Sequence, residues 1–248
     1  MLQTPAVLSL RQPSGTLSVR FKPMATLVRA LMGGAVAALG VALLLVGPDL
    51  MSLGLTAAGY LSGTILALSL MRRGYPHAVL GRGNLATLAR MALVASLLAP
   101  IVGRAMPWTF VAVATLALVL DGFDGWLARR EGLVSDFGAR LDTEVDSALG
   151  LVLALNVWVL GVTGPMILLI GLPRYVFVAA AVVVPWLKQP LPDSYRRKVV
   201  CVVQLVSLVV LSAQILPVWF VAPVVLGVAA ALGWSFGRDI LWLWKSRP

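Results

Sequence analysis

The chain of 248 residues contains one cysteine and one histidine. A single cysteine, Cys201, excludes an internal disulfide framework and a cysteine-based zinc site. A single histidine, His77, excludes metal sites built from histidine clusters and argues against a histidine-centred catalytic triad. Charged residues are also scarce, at 12%, whereas hydrophobic residues make up 60% of the chain. Because soluble domains carry about 25% charged residues, this composition indicates a protein of the lipid bilayer.

Long apolar runs divide the chain into candidate membrane spans. A bilayer-crossing helix needs about 20 mostly apolar residues, and the runs lack the period-two alternation of β-strands. Eight stretches meet this requirement: 24–46, 51–71, 84–102, 107–128, 139–161, 165–187, 199–216 and 218–243. We therefore predict an all-α polytopic membrane protein. Residues 1–23 form an N-terminal tail, 24–72 hold two helices, and 84–243 hold six more.

The basic residues between these stretches fall mainly on one face of the membrane. Twenty Lys and Arg residues against ten acids give a formal net charge of +10. With eight spans, the connectors of the other face hold only Arg104 among the basic residues. The positive-inside rule then places both termini in the cytoplasm. We expect an integral protein of a prokaryotic cell (inner) membrane, without a nucleic-acid partner, because orientation accounts for most of the charge.

Acidic residues are concentrated where the fourth stretch ends and the fifth begins. Seven of the ten acids lie within 26 residues, and five of these fall inside the two predicted spans: Asp121, Asp124, Asp142, Glu144 and Asp146. Acids inside spans are rare because a charge at membrane depth is costly. Asp121 and Asp124 are spaced i,i+3 and the other two aspartates i,i+4, so each pair shares one helix face. A short turn makes the two helices antiparallel neighbours, and the pairs can converge.

Four carboxylates without a nearby histidine or cysteine form a hard oxygen-ligand set that suits Mg²⁺ or Mn²⁺. Unpaired, they would repel one another and take up protons. Two divalent cations prevent this and form a clamp for phosphoryl chemistry. Gly125, Ala128 and Gly138 leave space beside the carboxylates, and Arg129 can supply a bidentate phosphate contact.

A structural alternative is a buried salt-bridge cluster of these acids with Arg129, Arg130 and Arg140. Such a cluster needs neither small residues between the acids nor two matched carboxylate pairs, so the ligand site is the favoured interpretation. Arg140 and Glu144 are spaced i,i+4, and we expect them to pair with each other.

Asp121 to Asp146 reads DGFDGWLARREGLVSDFGARLDTEVD. It fits D-x2-D-G-x2-A-R-x8-G-x3-D-x3-D at every fixed position, and this pattern resembles the signature of the CDP-alcohol phosphotransferases, membrane enzymes of phospholipid synthesis. The many fixed positions make the match a specific one. Weaker similarities surround it. Asn84-x2-Thr87-x2-Arg90 resembles the opening of the family's first core helix.

Two further segments resemble the family with substitutions. Lys198-x5-Gln204 is similar to its G-K-x-x-T-x2-Q segment, but Arg197 replaces the glycine and Cys201 replaces the threonine. Arg174 is followed by Tyr175, where many members have an acid. The resemblance covers about 84–243.

The resemblance implies a six-helix CDP-alcohol phosphotransferase core over 84–243, with two extra N-terminal transmembrane helices over 24–72. It implies that Asp121, Asp124, Asp142 and Asp146 hold two Mg²⁺ or Mn²⁺ ions and that Asp146 is also the base. Further implied roles fall into two sets. Nucleotide and phosphate binding is assigned to Gly125, Ala128, Arg129 and Gly138, and substrate binding to Asn84, Thr87, Arg90, Arg174, Lys198 and Gln204.

The expected reaction is phosphatidyl transfer from CDP-diacylglycerol, or another CDP-alcohol, to a small polar alcohol with release of CMP. Membrane lipids are further expected partners, and the resemblance also points to a homodimer as an option. Within the class, the alternative is a soluble CDP-alcohol donor with a lipid acceptor. From another class, the alternative is an ion-coupled secondary transporter. It is disfavoured because transporters often carry internal repeats, whereas the acidic segment is not repeated in this chain.

Overall fold

The computed structural model describes residues 16–189, 191–192 and 194–246, with side chains of the first helix from residue 22 onward. No strand occurs in these residues, which confirms the predicted all-α class. The α-helices of this part of the chain are α1 (Thr16–Val46), α2 (Leu50–Arg72), α3 (Arg82–Ser96), α4 (Pro107–Glu131), α5 (Asp136–Val159), α6 (Leu168–Gly171), α7 (Pro173–Val183), α8 (Tyr195–Ser212) and α9 (Val218–Lys245).

The first helix begins earlier than predicted. The tail was expected to extend to residue 23, but α1 starts at Thr16, and residues 1–15 lie outside the described part. Pro23 lies inside the helix.

Five helices among the described residues are long and apolar enough to cross a membrane: α1 (over Lys22–Val46), α2, α3 with the turn that follows it (Arg82–Ile101), α4 and α9. A sixth candidate is a broken one, Pro165–Gly171 followed by Pro173–Val183, with a bend of 65° between the parts. By length and composition the structure therefore offers up to six spans, and the predicted count of eight is not reached.

Charge and proline explain the difference. Helices α5 and α8 lie where spans were predicted, but α5 carries the acids of the motif and α8 begins with three cations. The stretch 165–187 is not one helix because Pro173 starts α7. Proline lacks the N–H that would continue the preceding helix, and its ring clashes with the turn before it.

The connection between α4 and α5 is a capped turn. Gly132 ends α4 with a left-handed backbone (φ 66°), a conformation that glycine adopts without steric cost. Ser135 caps α5, and its hydroxyl accepts a hydrogen bond from the Gly138 N–H at 3.2 Å. Serine at this position satisfies one of the free N–H groups of the first turn. The two helices therefore run antiparallel from this turn.

Helix α3 lies between these two helices. Both α4 and α5 pack against α3 more extensively than against each other. Among the five unbroken candidate spans, α3 is also the most buried inside the protein. In its most apolar stretch 61% of the residues are buried, against 22–28% in the other four helices. The expectation that α4 and α5 are direct neighbours therefore holds only at their turn, and α3 fills the space between them.

The two N-terminal helices are packed onto this core. The Tyr60 hydroxyl of α2 donates a hydrogen bond to the Leu31 carbonyl of α1 at 2.8 Å. A Cβ on Gly63 of α2 would lie 2.6 Å from the Met91 sulfur of α3. Small residues let helix backbones approach closely in membranes, and here they bring α2 against the helix at the centre of the fold.

We predict that Gly34→Ala lowers the melting temperature of the purified protein. A Cβ at Gly34 would overlap the Tyr60 hydroxyl oxygen, so either Tyr60 leaves its hydrogen bond to the Leu31 carbonyl or α1 and α2 move apart. Such overpacking costs about 1–3 kcal/mol. The matched control is Gly33→Ala, where no described atom lies within 4 Å of the new Cβ. Equal melting temperatures for the two variants in detergent would contradict the close contact.

Candidate active site

A cavity of about 600 Å³ opens among α4, α5, α7, α8 and α9. Its wall contains many of the residues predicted from the sequence: Asp121, Asp124, Gly125, Arg129, Asp142, Asp146, Arg174, Lys198 and Gln204. Most acidic groups of the wall lie on α4 and α5, and one more, Asp239, lies on α9. The basic groups come from the end of α4 and the starts of α7 and α8. The cavity therefore has an acidic side and a basic side.

Three of the four predicted aspartates converge on one point. Asp121, Asp142 and Asp146 each offer a carboxylate oxygen, and these oxygens lie within 4.8 Å of one another. All three side chains are partly exposed to the cavity, with 20–36% of their surface accessible. Oxygen donors at this separation are the ligands that Mg²⁺ and Mn²⁺ prefer, so the residues fit a divalent cation.

The fourth aspartate, Asp124, is buried more deeply, with 4% of its surface exposed. Its Oδ1 accepts a hydrogen bond from the Gly125 N–H at 2.6 Å. Its Oδ2 accepts one from the Thr87 hydroxyl at 3.0 Å. Asp124 lies outside the group of three converging oxygens, and its carboxylate is already bound by neighbouring donors.

The guanidinium of Arg90 lies among all four carboxylates. Its Nη1 is 2.8 Å from Asp121 Oδ1 and 2.7 Å from both Asp124 Oδ2 and Asp142 Oδ1. Its Nη2 donates to Asp146 Oδ1. The Arg90 side chain has no exposed surface. A buried charge is tolerated only when it is paired, and Arg90 is paired with every aspartate of the motif.

The cations named in the salt-bridge alternative lie elsewhere. Arg129 lines the cavity, Arg130 stacks over the Trp126 ring at 5.0 Å, and Arg140 is exposed. The acidic motif does form a salt-bridge cluster, but with a cation from α3. Because Arg90 is 31 residues or more from each aspartate in sequence, helical spacing could not reveal the pairing.

Asn84 and Thr87, which were predicted to bind substrate together with Arg90, also lie against the motif and not in the cavity wall. A Cβ on Gly138 would lie 2.5 Å from the Asn84 side-chain oxygen, so glycine is needed for this contact. The Asn84 amide donates to the Tyr75 hydroxyl at 3.1 Å. Burial raises the pKa of Tyr75 above its ordinary value, which keeps the hydroxyl neutral.

The residues predicted to bind nucleotide divide between cavity and core. Gly125 and Arg129 line the cavity, and a Cβ on Gly125 would lie 3.2 Å from an Arg129 terminal nitrogen. Ala128 and Gly138 face α3 instead. A Cβ on Gly83 would lie 3.0 Å from that of Ala128. Their small size therefore serves close packing of α3 against α4 and α5.

Arg174 of α7 lines the cavity and contacts α5. Its Nη2 donates to Glu144 Oε1 at 2.8 Å. The predicted pairing of Arg140 with Glu144 is therefore wrong, because a partner from another helix takes the carboxylate. Sequence spacing identifies neighbours within one helix only, whereas Arg174 is 30 residues away.

The start of α8 forms the rest of the basic side. Lys198 lines the cavity, as do Arg197 and Cys201, which replace the family's glycine and threonine. Gln204 also lines it, and its amide donates to the Ile170 carbonyl at 2.6 Å. Gln204 therefore joins α8 to the short helix α6 while it remains at the cavity wall.

Asp239 of α9 is a cavity residue that was not predicted from the sequence. It lines the cavity, is 6% exposed and accepts a hydrogen bond from Arg196 at 2.6 Å. Arg196 also donates to the Ser235 hydroxyl at 2.8 Å. An acid inside a predicted span is a functional candidate by default, and that rule alone would have identified Asp239.

The fold and this cavity define a polytopic membrane protein with a carboxylate site. The family model described as CDP-alcohol phosphatidyltransferase matches residues 82–235, more than half of the chain. The chain belongs to the CDP-alcohol phosphatidyltransferase family, which confirms the resemblance. Membership implies a transferase of phosphate-containing groups with CDP-alcohol donors and alcohol acceptors, and the family depends in general on divalent cations. Searches of curated proteins and of solved structures found no match.

We predict that Thr87→Val lowers the melting temperature, because it removes a buried donor to the Asp124 carboxylate. Hydrogen bonds to charged groups contribute about 1.5–3 kcal/mol. Thr143→Val is the control, since that exposed hydroxyl bonds the Ala139 carbonyl of its own helix at 2.7 Å. A Thr87→Val protein as stable as the control would show that Thr87 does not hold Asp124.

Proposed function

We propose that this protein transfers a phosphatidyl group from CDP-diacylglycerol to a small polar alcohol and releases CMP. The observation that carries the proposal is the convergence of Asp121, Asp142 and Asp146 within 4.8 Å at the wall of a cavity. The same cavity is also lined by the basic residues Arg129 and Lys198. A nucleotide pyrophosphate needs both features, because cations and basic side chains neutralise its charge.

Two divalent cations, Mg²⁺ or Mn²⁺, would be held by Asp121, Asp124, Asp142 and Asp146. Of these, Asp121, Asp142 and Asp146 have the closest oxygens, and Asp124 is bound to Gly125 and Arg90. When bound, the cations would polarise the pyrophosphate and stabilise the departing CMP.

Asp146 is proposed as the general base. Arg90 binds its Oδ1, and Oδ2 is the oxygen that would receive the proton of the acceptor hydroxyl. The acceptor oxygen then forms a bond with the phosphorus distal to the cytidine. The bond between that phosphorus and the bridging oxygen breaks, and CMP leaves with the bonding electron pair. The products are the new phosphodiester and CMP, and the proton remains on Asp146 until it passes to solvent.

The remaining residues would bind the reactants. Arg129 can bind the pyrophosphate with two hydrogen bonds, and Gly125 leaves room beside it. Arg174 and Lys198 lie where an anionic group of the acceptor could be held. Both termini and the mouth of the cavity are proposed to face the cytoplasm of a prokaryotic cell, where a soluble nucleotide product can leave.

We predict that Asp146→Asn abolishes CMP release while the protein still folds and binds CDP-diacylglycerol. The amide keeps the shape of the side chain but cannot accept the proton. Asp136→Asn is the matched control, because Asp136 is an exposed acid in the first turn of the same helix. Wild-type turnover in Asp146→Asn would remove this residue from the role of base.

The function itself is tested with purified protein, CDP-diacylglycerol, Mg²⁺ or Mn²⁺ and a panel of polar alcohols, some of them phosphorylated. We expect CMP release and a new phospholipid, identified by mass spectrometry, and EDTA should stop both. Activity that persists fully in EDTA would contradict the cation assignment. Product formation only from a soluble CDP-alcohol and a lipid acceptor would reverse the donor and acceptor roles, and ion flux without CMP would indicate a transporter.

A further inference from the structure

The position of Arg90 changes the charge of the site that the cations would enter. We infer that the Arg90 side chain is a permanent counter-charge to the four aspartates. It limits the motif to one tightly bound divalent metal ion until an anionic nucleotide binds. The inference rests on the proposed function only in that these carboxylates bind divalent cations. It assigns Arg90 a positioning and regulatory role in place of the predicted contact with substrate.

The first step concerns geometry. Arg90 contacts one oxygen of each carboxylate: Oδ1 of Asp121, Oδ2 of Asp124, Oδ1 of Asp142 and Oδ1 of Asp146. Each carboxylate has a second oxygen. That of Asp124 accepts the Gly125 N–H, which leaves three aspartates with an oxygen to offer. The same three residues can bring one carboxylate oxygen each within 4.8 Å of the others, so we take them as the ligands of the first cation beside Arg90.

The second step concerns burial. The Arg90 side chain is fully enclosed, and its Nε makes no hydrogen bond to any described residue. Arginine keeps its charge in proteins, and without contact with water the charge is compensated by the aspartates alone. Arg90 is therefore a fixed positive charge within hydrogen-bonding distance of every proposed ligand.

The third step counts charge. Four carboxylates and one guanidinium leave three excess negative charges. A first divalent cation reduces the excess to one negative charge, but a second would leave one positive charge in a low-dielectric site. Like charges at close range strongly disfavour each other there. A pyrophosphate reverses this, because its negative charge compensates the second cation. Binding of the second cation and of the nucleotide should therefore be coupled, and the coupling is reciprocal.

Mn²⁺ binding to the full-length protein in detergent tests the inference, with CDP as the nucleotide probe and free Mn²⁺ measured by electron paramagnetic resonance. Wild type should bind one Mn²⁺ tightly without CDP, and CDP should tighten the second site at least tenfold. Arg90→Met should bind two without CDP, and the effect of CDP on the second site should fall below about threefold. Arg90→Lys keeps the positive charge, so it should bind one Mn²⁺ tightly without CDP, as wild type does.

Two controls separate charge from folding. Arg130→Met makes the same substitution at an exposed arginine that stacks on Trp126, and it should behave as wild type. Arg90→Met combined with Asp124→Asn restores the wild-type excess of three negative charges. It should again bind one Mn²⁺ without CDP, and it keeps the test open if Arg90→Met alone does not fold.

The inference is overturned if wild type binds two Mn²⁺ without CDP, or if Arg90→Met retains the wild-type count and CDP dependence. A double variant that binds two ions without CDP also overturns it. These measurements do not use turnover, so loss of the proposed transferase activity would leave them interpretable. A wild type that binds no Mn²⁺ at all would remove the inference together with the cation assignment.

Discussion

A charge at membrane depth has to be compensated inside the protein, because bulk water cannot reach it. Arg90 and the four aspartates meet that requirement through direct contacts of 2.8 Å or less. Breaking a buried ion pair by removing one partner costs about 3–5 kcal/mol. Arg90 can compensate both acid pairs because α3 packs against both α4 and α5. This charge pairing is a physical reason for α3 to lie at the centre of the fold.

Other features of the structure follow from placing α3 there. Gly83, Ala128 and Gly138 are small at the points where α3 meets α4 and α5, so the backbones approach closely enough for the guanidinium to reach both acid pairs. Helices α1 and α2 cover the outer side of α3 through contacts such as Gly63 against Met91. The N-terminal pair precedes the residues matched to the family, yet it supports the helix that holds the acidic motif together.

The sequence predicted features whose causes are local. Carboxylates three or four residues apart share a helix face, so the two acid pairs were predictable, as was their meeting across a short turn. Contacts between distant residues were not, and Arg90 with Asp146, Arg174 with Glu144 and Arg196 with Asp239 all join different helices. The break of the predicted span 165–187 at Pro173 has a local cause, because proline disfavours continuation of the preceding helix. The hydropathy of this stretch, taken alone, does not reveal the break.

The charge of the basic side of the cavity also depends on contacts between different helices. Arg174 and Arg197 line it, but Glu144 and Asp239 each contact one of them, so these cations are partly compensated before any ligand binds. The acidic motif, by contrast, keeps three excess negative charges after its contacts with Arg90. Such a cavity suits cations at the acidic motif together with an anionic pyrophosphate at the basic side, because each ligand offsets the charge of the other. The charge balance thus favours a nucleotide transferase over an ion carrier on physical grounds that the motif alone does not provide.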